Sequence, residues 1–179
     1  VDFTRFHDHQ ATGRYIRVRS SEAFRKVYGI IHPQEQWTEG RDNRRSPFHQ
    51  RERELGAVFY ETAGWERPQW YRTNRKLLEE FDVPERAGWE AMLWSPIIGA
   101  EHQAVRSRVG MFDLTSFMKL DVAGPGALDF VERMAVFKLD RPAGTVVYTP
   151  LVNPHGGIVA DLTIQRLGED HFRIITGGA

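Results

Sequence analysis

Three strand-like segments joined by two turns constrain the fold of this chain more than any other feature. They run from Thr145 to Leu151, from Ile158 to Arg166 and from His171 to Thr176. The glycines of the first turn, Gly156 and Gly157, permit the positive φ angles of a tight reversal. Because such short connections join neighbouring antiparallel strands, the pattern predicts a sheet built from hairpins.

The residues before these strands predict a helix, a strand and a second helix. Ser95 is a suitable N-cap and Pro96 fits the first helical position, after which apolar residues recur three or four apart until Gly110. Apolar and charged residues alternate from Met118 to Val122, and the Gly-Pro-Gly turn that follows leads into another helix. This part of the chain is therefore predicted to be α+β, with helices packed on a mostly antiparallel sheet.

The residues before Trp94 have a different character. They are irregular in pattern and rich in aromatic residues and arginine, and Ser20-Ser21 can cap a short helix with Phe24 on its apolar face. We place a domain boundary at Trp94. Residues 1–94 are predicted to form a connecting segment, and residues 95–179 the beginning of a separate domain.

The charge balance disfavours nucleic acid and anionic membranes as partners. Lysine plus arginine number 24 and aspartate plus glutamate also number 24, so the surface has no net field to hold either. No apolar run approaches the roughly 20 residues that span a bilayer, and no cysteine is present for a disulfide or a thiolate metal site. A cytoplasmic location is expected, with the mitochondrial matrix as the alternative. Because the chain begins without methionine and ends directly after a strand, we expect it to be a piece of a larger protein.

Motifs for nucleotides and metals are weak or absent in the sequence. The chain contains no G-x-G-x-x-G fingerprint and no Walker lysine motif. His7 and His9 have the spacing of metal ligands, but no third ligand is specified, and we predict no metal. The arginine-rich stretch from Arg41 to Glu54 either holds an anion or forms a solvated or interdomain surface. Its nearly balanced charge favours the surface.

Asp161 is the leading candidate for chemistry. Alternation along its strand puts Leu162 and Ile164 on one face, and Asp161 with Thr163 on the other. An aspartate inside a strand has poor strand propensity and is costly to desolvate without a partner. It is either a solvated or turn-satisfying carboxylate, or a rigidly held group that binds a ligand N–H or stabilises a cation. The pattern does not decide between the two.

Three further residues are candidate walls of a cofactor site. Phe117 points away from the face of Met118, and it either packs in the core or walls a flat-ring site on the side of Asp161. Tyr148 and Ile175 have the same two interpretations, packing or pocket wall.

Several short motifs follow one another along the chain in a characteristic order. Those of the second half are Gly110-Met111-Phe112-Asp113-Leu114-Thr115, Val122-Ala123-Gly124-Pro125-Gly126-Ala127, Tyr148-Thr149-Pro150-Leu151, Gly156-Gly157-Ile158 and Asp161-Leu162-Thr163. Together they resemble the folate-binding domain of the glycine-cleavage T-protein family of aminomethyltransferases. The earlier motifs resemble the connecting domain of sarcosine and dimethylglycine dehydrogenases or oxidases, and they are Ser46-Pro47-Phe48-His49, Glu54-Leu55-Gly56 and Gly64-Trp65-Glu66-Arg67-Pro68.

The resemblance implies an enzyme that acts on an N-methyl amine such as dimethylglycine or sarcosine. In those enzymes an FAD domain oxidises the amine, and the folate domain transfers the one-carbon unit to tetrahydrofolate, giving 5,10-methylenetetrahydrofolate. Tetrahydrofolate is thereby implied as the cofactor of this part of the protein. FAD is implied as the cofactor of a covalently linked domain outside this chain.

The resemblance also implies roles for single residues. Asp161 is the implied catalytic carboxylate facing the folate amine and the iminium, Phe117 packs on the pterin side, and Thr163 and Ile175 are pocket wall. T-proteins commonly have two adjacent acids here, whereas Ala160 precedes a single acid in this chain, which fits the amine-dehydrogenase branch. The alternative is a T-protein-like aminomethyltransferase, or a folate-binding module without redox chemistry. The fragment alone is expected to be inactive.

Overall fold

The computed structural model describes residues 6–177, which divide into two compact units. The first unit ends at Asp113 and the second begins at Leu114. The expectation that the chain is a piece of a larger protein rests partly on its two ends. Both ends lie outside the described residues. Within residues 6–177, every helix is too short or too polar to cross a membrane.

The first unit combines short helices with a two-stranded antiparallel sheet. Its α-helices are α1 (Gly13–Lys26), α2 (His49–Glu54) and α3 (Pro96–Ser107), and its strands are β1 (Ala57–Thr62) and β2 (Trp65–Tyr71). Further 3-10 helices cover Asp8–Ala11, Arg72–Glu79 and Gly88–Ala91. The turn between β1 and β2 has φ angles of 50° at Ala63 and 81° at Gly64, the positive values that a two-residue hairpin of type I′ requires.

Helix α3 begins where the sequence predicts. Ser95 Oγ accepts a hydrogen bond from the backbone N–H of Ile97 at 3.3 Å, and proline occupies the first turn. Ile97 and Ala100 are the buried residues of its apolar face. The helix ends at Ser107, earlier than the predicted stop at Gly110.

The helix predicted around Ser20 has a different start and a different buried face. Helix α1 begins at Gly13, after a Thr12 N-cap. Phe24 is 75% exposed, whereas Glu22 is only 2% exposed. Glu22 can be buried because its carboxylate accepts hydrogen bonds from two backbone N–H groups, which offset the cost of removing the charge from water.

The second unit is a four-stranded sheet covered by one helix. Its strands are β3 (Met118–Ala123), β4 (Val146–Val152), β5 (Ile158–Gly168) and β6 (His171–Thr176), and helix α4 (Ala127–Met134) follows β3. The strand order is β3-β6-β5-β4, and every neighbouring pair is antiparallel. The predicted α+β class, with a helix on an antiparallel sheet, is confirmed.

The core of the second unit lies between α4 and one face of this sheet. Val131 of α4 packs with Leu162 and Ile164 of β5 and with Phe172 and Ile174 of β6, and each of these residues is at most 6% exposed. Since side chains alternate along a strand, burial of these positions sends the residues between them to the outer face.

Candidate functional site

The residues singled out on the sheet share its outer face, opposite the core. Tyr148 on β4 lies opposite Thr163 on β5, which in turn lies opposite Ile175 on β6. Asp161 is two residues before Thr163 on the same strand and therefore on the same face. The sheet thus brings four of the candidate residues together in two adjacent rows.

Asp161 has a direct partner in Tyr148. The Tyr148 hydroxyl donates a hydrogen bond to Asp161 Oδ2 at 2.7 Å, and both side chains are exposed. The hydrogen bond to this carboxylate, together with its negative charge, raises the pKa of Tyr148. Tyr148 therefore remains a donor at neutral pH and holds the carboxylate in one orientation.

One side of the Asp161 carboxylate remains open. Among residues 6–177, no side chain or backbone N–H donates to its Oδ1 atom. The main chain is also held at this point, because Thr176 Oγ1 donates to the carbonyl oxygen of Asp161 at 3.2 Å. A carboxylate fixed in this way can accept a hydrogen bond from a ligand N–H or stabilise a nearby positive charge.

Phe117 lies at the same end of the sheet as Asp161. Met118 lies opposite Thr176, which lies opposite Leu162, so these three residues form one row across β3, β6 and β5. Strands β3 and β5 run in the same direction; Phe117 directly precedes β3, and Asp161 directly precedes Leu162 on β5. They are separated by two strand spacings, roughly 10 Å.

Lys119 is a residue of this face that sequence patterns do not single out. It lies opposite Ile175, and its Nζ atom donates to the carbonyl oxygens of Leu114 at 2.7 Å and Thr115 at 3.1 Å. These bonds fix the loop that leads to Phe117. Only the strand register reveals this role, because a lysine in an alternating strand is usually a solvated residue.

A second polar cluster occupies the other end of the outer face. Asp121 accepts two hydrogen bonds from Arg173, from Nε at 2.8 Å and from Nη2 at 2.9 Å, and His171 Nε2 lies 3.2 Å from Asp121 Oδ2. The bonds from Arg173 lower the pKa of Asp121 from 3.8 to about 2, and His171 adds to this. Both oxygens of Asp121 therefore have partners within the sheet, whereas Asp161 Oδ1 has none among residues 6–177.

Two family models match successive parts of the chain. The family described as FAD dependent oxidoreductase central domain matches residues 1–46, and the family described as GCVT N-terminal domain matches residues 48–179. The structural division follows Asp113. The predicted boundary at Trp94 lies between the start of the second match and this division, and it stays a prediction.

Curated relatives resemble the chain over nearly its whole length. A protein from Paenarthrobacter nicotinovorans named 4-methylaminobutanoate oxidase (formaldehyde-forming) is 37% identical over 98% of this chain and 21% of its own length. Mitochondrial sarcosine dehydrogenase from Mus musculus is 31% identical over 93% of this chain and 20% of its own length. The chain therefore spans about a fifth of the length of these relatives.

A solved structure shares the fold. The glycine cleavage system aminomethyltransferase T from Bartonella henselae matches with a TM-score of 0.54 and 21% identity, over 76% of this chain and 32% of that one. This likeness confirms the T-protein-like fold. Because the GCVT model covers residues 48–179, including the entire sheet that carries Asp161, the chain belongs to the GCVT N-terminal domain family.

Proposed function

We propose that this chain is part of an FAD-linked, tetrahydrofolate-dependent N-methyl amine dehydrogenase or oxidase, to which it contributes the folate side. The observation that carries the proposal is the Asp161 carboxylate, held by Tyr148 on an exposed sheet face with one oxygen open. The relatives named as a methylaminobutanoate oxidase and a sarcosine dehydrogenase support it. The match of residues 1–46 to an FAD dependent oxidoreductase central domain supports a linked FAD domain.

The residues of the outer face fit a reduced pterin. A pterin is flat and carries several N–H groups, so it needs an acceptor at its edge and apolar contacts on its faces. Asp161 Oδ1 is such an acceptor, and Ile175 offers apolar surface on the same face of the sheet. Phe117 is an apolar residue at the same end of the sheet. Thr163, between Tyr148 and Ile175, adds a hydroxyl group to this surface.

Asp161 and Tyr148 have separate tasks in the proposed reaction. Bound tetrahydrofolate supplies the amine that captures the one-carbon unit, and FAD in the linked domain supplies the amine oxidation. Asp161 accepts a hydrogen bond from a ligand N–H and stabilises the positive charge of the iminium. Tyr148 positions the Asp161 carboxylate and keeps its own proton while doing so.

The test is the coupling between amine oxidation and folate product in the intact protein. Asp161→Asn keeps the size of the side chain but removes its charge. We expect the rate of one-carbon transfer to fall about a hundredfold while amine oxidation is unchanged, by comparison with the loss of one preorganised electrostatic group. The uncaptured iminium then hydrolyses to the amine and formaldehyde. An aldehyde trap is included, because free formaldehyde also condenses with tetrahydrofolate in solution.

Asp129→Asn is the matched control for this experiment. Asp129 is an exposed carboxylate in the first turn of α4, which covers the opposite face of the sheet. Its replacement should leave the ratio of methylenetetrahydrofolate to trapped formaldehyde unchanged. Equal ratios in the wild type and both variants would remove Asp161 from the mechanism.

A T-protein-like aminomethyltransferase, or a folate-binding module without redox chemistry, is the second candidate function. Relatives named aminomethyltransferase favour it, together with the likeness to the solved aminomethyltransferase T. The absorbance of the intact protein separates the two candidates. A flavin spectrum that is bleached by an N-methyl amine supports the first, and its absence supports the second.

The remaining features of the proposal concern substrate, domains and location. We propose sarcosine, dimethylglycine or a similar N-methyl amine as substrate, and folate as the second small molecule. Residues 1–94 are proposed to connect the FAD domain to a folate domain that begins at residue 95. A cytoplasmic location is proposed, with the mitochondrial matrix as the alternative because the mouse relative is named as mitochondrial.

A further inference from the structure

A pocket in the first unit, beside α2 and the β1-β2 hairpin, has no part in the function proposed above. Its volume is about 310 Å³, and residues 57–59 of β1 contribute its apolar surface. Its polar walls come from six side chains, which are Arg41, Asp42, His49, Arg53, Glu66 and Arg72.

The two carboxylates of this pocket are already neutralised. Arg41 Nε donates to Glu66 Oε1 at 2.8 Å, and Arg41 Nη2 donates to Glu66 Oε2. Asp42 pairs with Arg45, whose Nη2 atom lies 2.9 Å from Asp42 Oδ2. Glu66 and Asp42 are therefore paired with Arg41 and Arg45, and not with the other two arginines that line the pocket.

Those other two arginines are Arg53 and Arg72. Both residues are exposed. In the part of the chain that the structure describes, neither guanidinium group makes a hydrogen bond or an ion pair. Two positive charges thus line one pocket without a hydrogen-bonded carboxylate, although, after the hydrogen bond from Arg45, the charge of Arg53 also contributes to lowering the pKa of Asp42.

His49 is a mostly buried residue on the same wall. It is 6% exposed, and its ring stacks on Phe59 with the ring centroids 4.4 Å apart. Its ring nitrogens form no hydrogen bond with residues 6–177. Burial lowers the pKa of His49, and the charges of Arg45 and Arg53 lower it further. At neutral pH the ring is therefore uncharged and has one N–H to donate. Since His49 lines the pocket and this N–H has no partner in residues 6–177, the N–H is available for a ligand.

We infer that this pocket binds a small organic oxyanion, whose carboxylate or phosphate group lies between Arg53 and Arg72 and accepts a hydrogen bond from His49. Guanidinium groups recognise both kinds of oxyanion through paired N–H donors. The apolar surface of residues 57–59 favours an anion that carries a short hydrocarbon part. The arginine-rich stretch therefore has a binding role in addition to its exposed surface.

Isothermal titration calorimetry of the intact protein at constant ionic strength tests this inference. The probes are acetate, butyrate and inorganic phosphate. We expect saturable one-site binding. If the ligand is a carboxylate with an apolar tail, butyrate binds more tightly than acetate, by up to about fourfold for each added methylene. Phosphate binding that is tighter than both identifies a phosphate ester. The absence of saturable binding by all three probes overturns the inference.

Three arginine variants locate the bound anion. Arg53→Gln and Arg72→Gln should each weaken binding roughly tenfold or more, because each removes charged hydrogen-bond donors. Both side chains are exposed and have no partner in residues 6–177, so these changes should not disturb folding. Arg51→Gln is the matched control, since Arg51 is exposed on the same helix and does not line the pocket. Equal weakening in all three variants, or no weakening in Arg53→Gln and Arg72→Gln, contradicts a specific site.

Discussion

Replacing Glu22 by glutamine tests how a buried carboxylate stabilises the first unit. Glu22 lies on α1 with 2% of its surface exposed. Its Oε1 atom accepts hydrogen bonds from the backbone N–H of Thr38 at 2.8 Å and from the Thr38 hydroxyl at 2.9 Å, and its Oε2 atom accepts from the N–H of Glu39 at 2.8 Å. Lys26 Nζ lies 3.0 Å from Oε1. One side chain therefore joins the helix to the segment that follows it.

The magnitude follows from the protonation equilibrium of this carboxylate. Burial alone raises the pKa of Glu22, but the backbone N–H groups of Thr38 and Glu39, with Lys26, outweigh it and lower the pKa from 4.5 to about 2. This difference corresponds to about 3 kcal/mol of stability at neutral pH. Because the folded pKa is the lower one, the contribution is complete above pH 4.5 and is lost as the pH falls from 4.5 toward about 2.

We expect Glu22→Gln to lower the free energy of unfolding by about 2–4 kcal/mol at neutral pH, because the charge is lost and the new amide group meets the N–H of Glu39 as a second donor. Urea unfolding followed by tryptophan fluorescence measures this change. The tryptophans of the chain lie between Trp37 and Trp94, so the signal reports on the first unit and not on the sheet of the second.

Glu39→Gln is the control for this measurement. Its carboxylate pairs with Arg25 at an exposed position, and exposed pairs contribute less than about 1 kcal/mol. The backbone N–H of Glu39 still binds Glu22 in this variant. The reasoning is refuted if Glu22→Gln and Glu39→Gln unfold at the same urea concentration, or if the wild type gains stability as the pH falls below 4.5.

Two further predictions concern the sheet of the second unit. Tyr148→Phe removes the hydrogen-bond donor to Asp161. We expect the rate of one-carbon transfer to fall roughly 3- to 10-fold while the rate of amine oxidation is unchanged. A loss as large as that of Asp161→Asn would contradict a positioning role for Tyr148. Ile164→Ala removes a core side chain that is 2% exposed, and we expect a loss of about 2–5 kcal/mol, measured by hydrogen exchange of the β5 and β6 amides. If the protection of these amides is unchanged, the core assignment is wrong.

The strands of the second unit were predictable because their signals are local. Alternation of apolar and polar residues assigned Leu162 and Ile164 to the core and Asp161 to the other face, and the structure agrees. The turn at residues 153–157 is local as well, since Asn153 Oδ1 accepts hydrogen bonds from the N–H groups of His155 and Gly157. Short-range steric and hydrogen-bonding preferences suffice for such elements.

The first unit was less predictable because its buried groups are polar. An apolar pattern favoured Phe24 for the inner face of the first helix, whereas the structure buries Glu22. The same holds for Glu66, whose carboxylate is buried against Arg41. A buried carboxylate depends on donors that are distant in sequence, so no pattern within the helix or strand indicates it.

The sequence by itself determined the α+β class, the strands of the hairpins and the face that carries Asp161, since all of these follow from local periodicity. Its short motifs also carried the resemblance to the family that the comparisons confirm. Only the tertiary structure decided that Tyr148 holds Asp161 and that Thr163 and Ile175 continue the same row. It also decided that Arg53, Arg72 and His49 line one pocket. These relations depend on strand register and on contacts between distant segments, which are set by the packing of the whole unit.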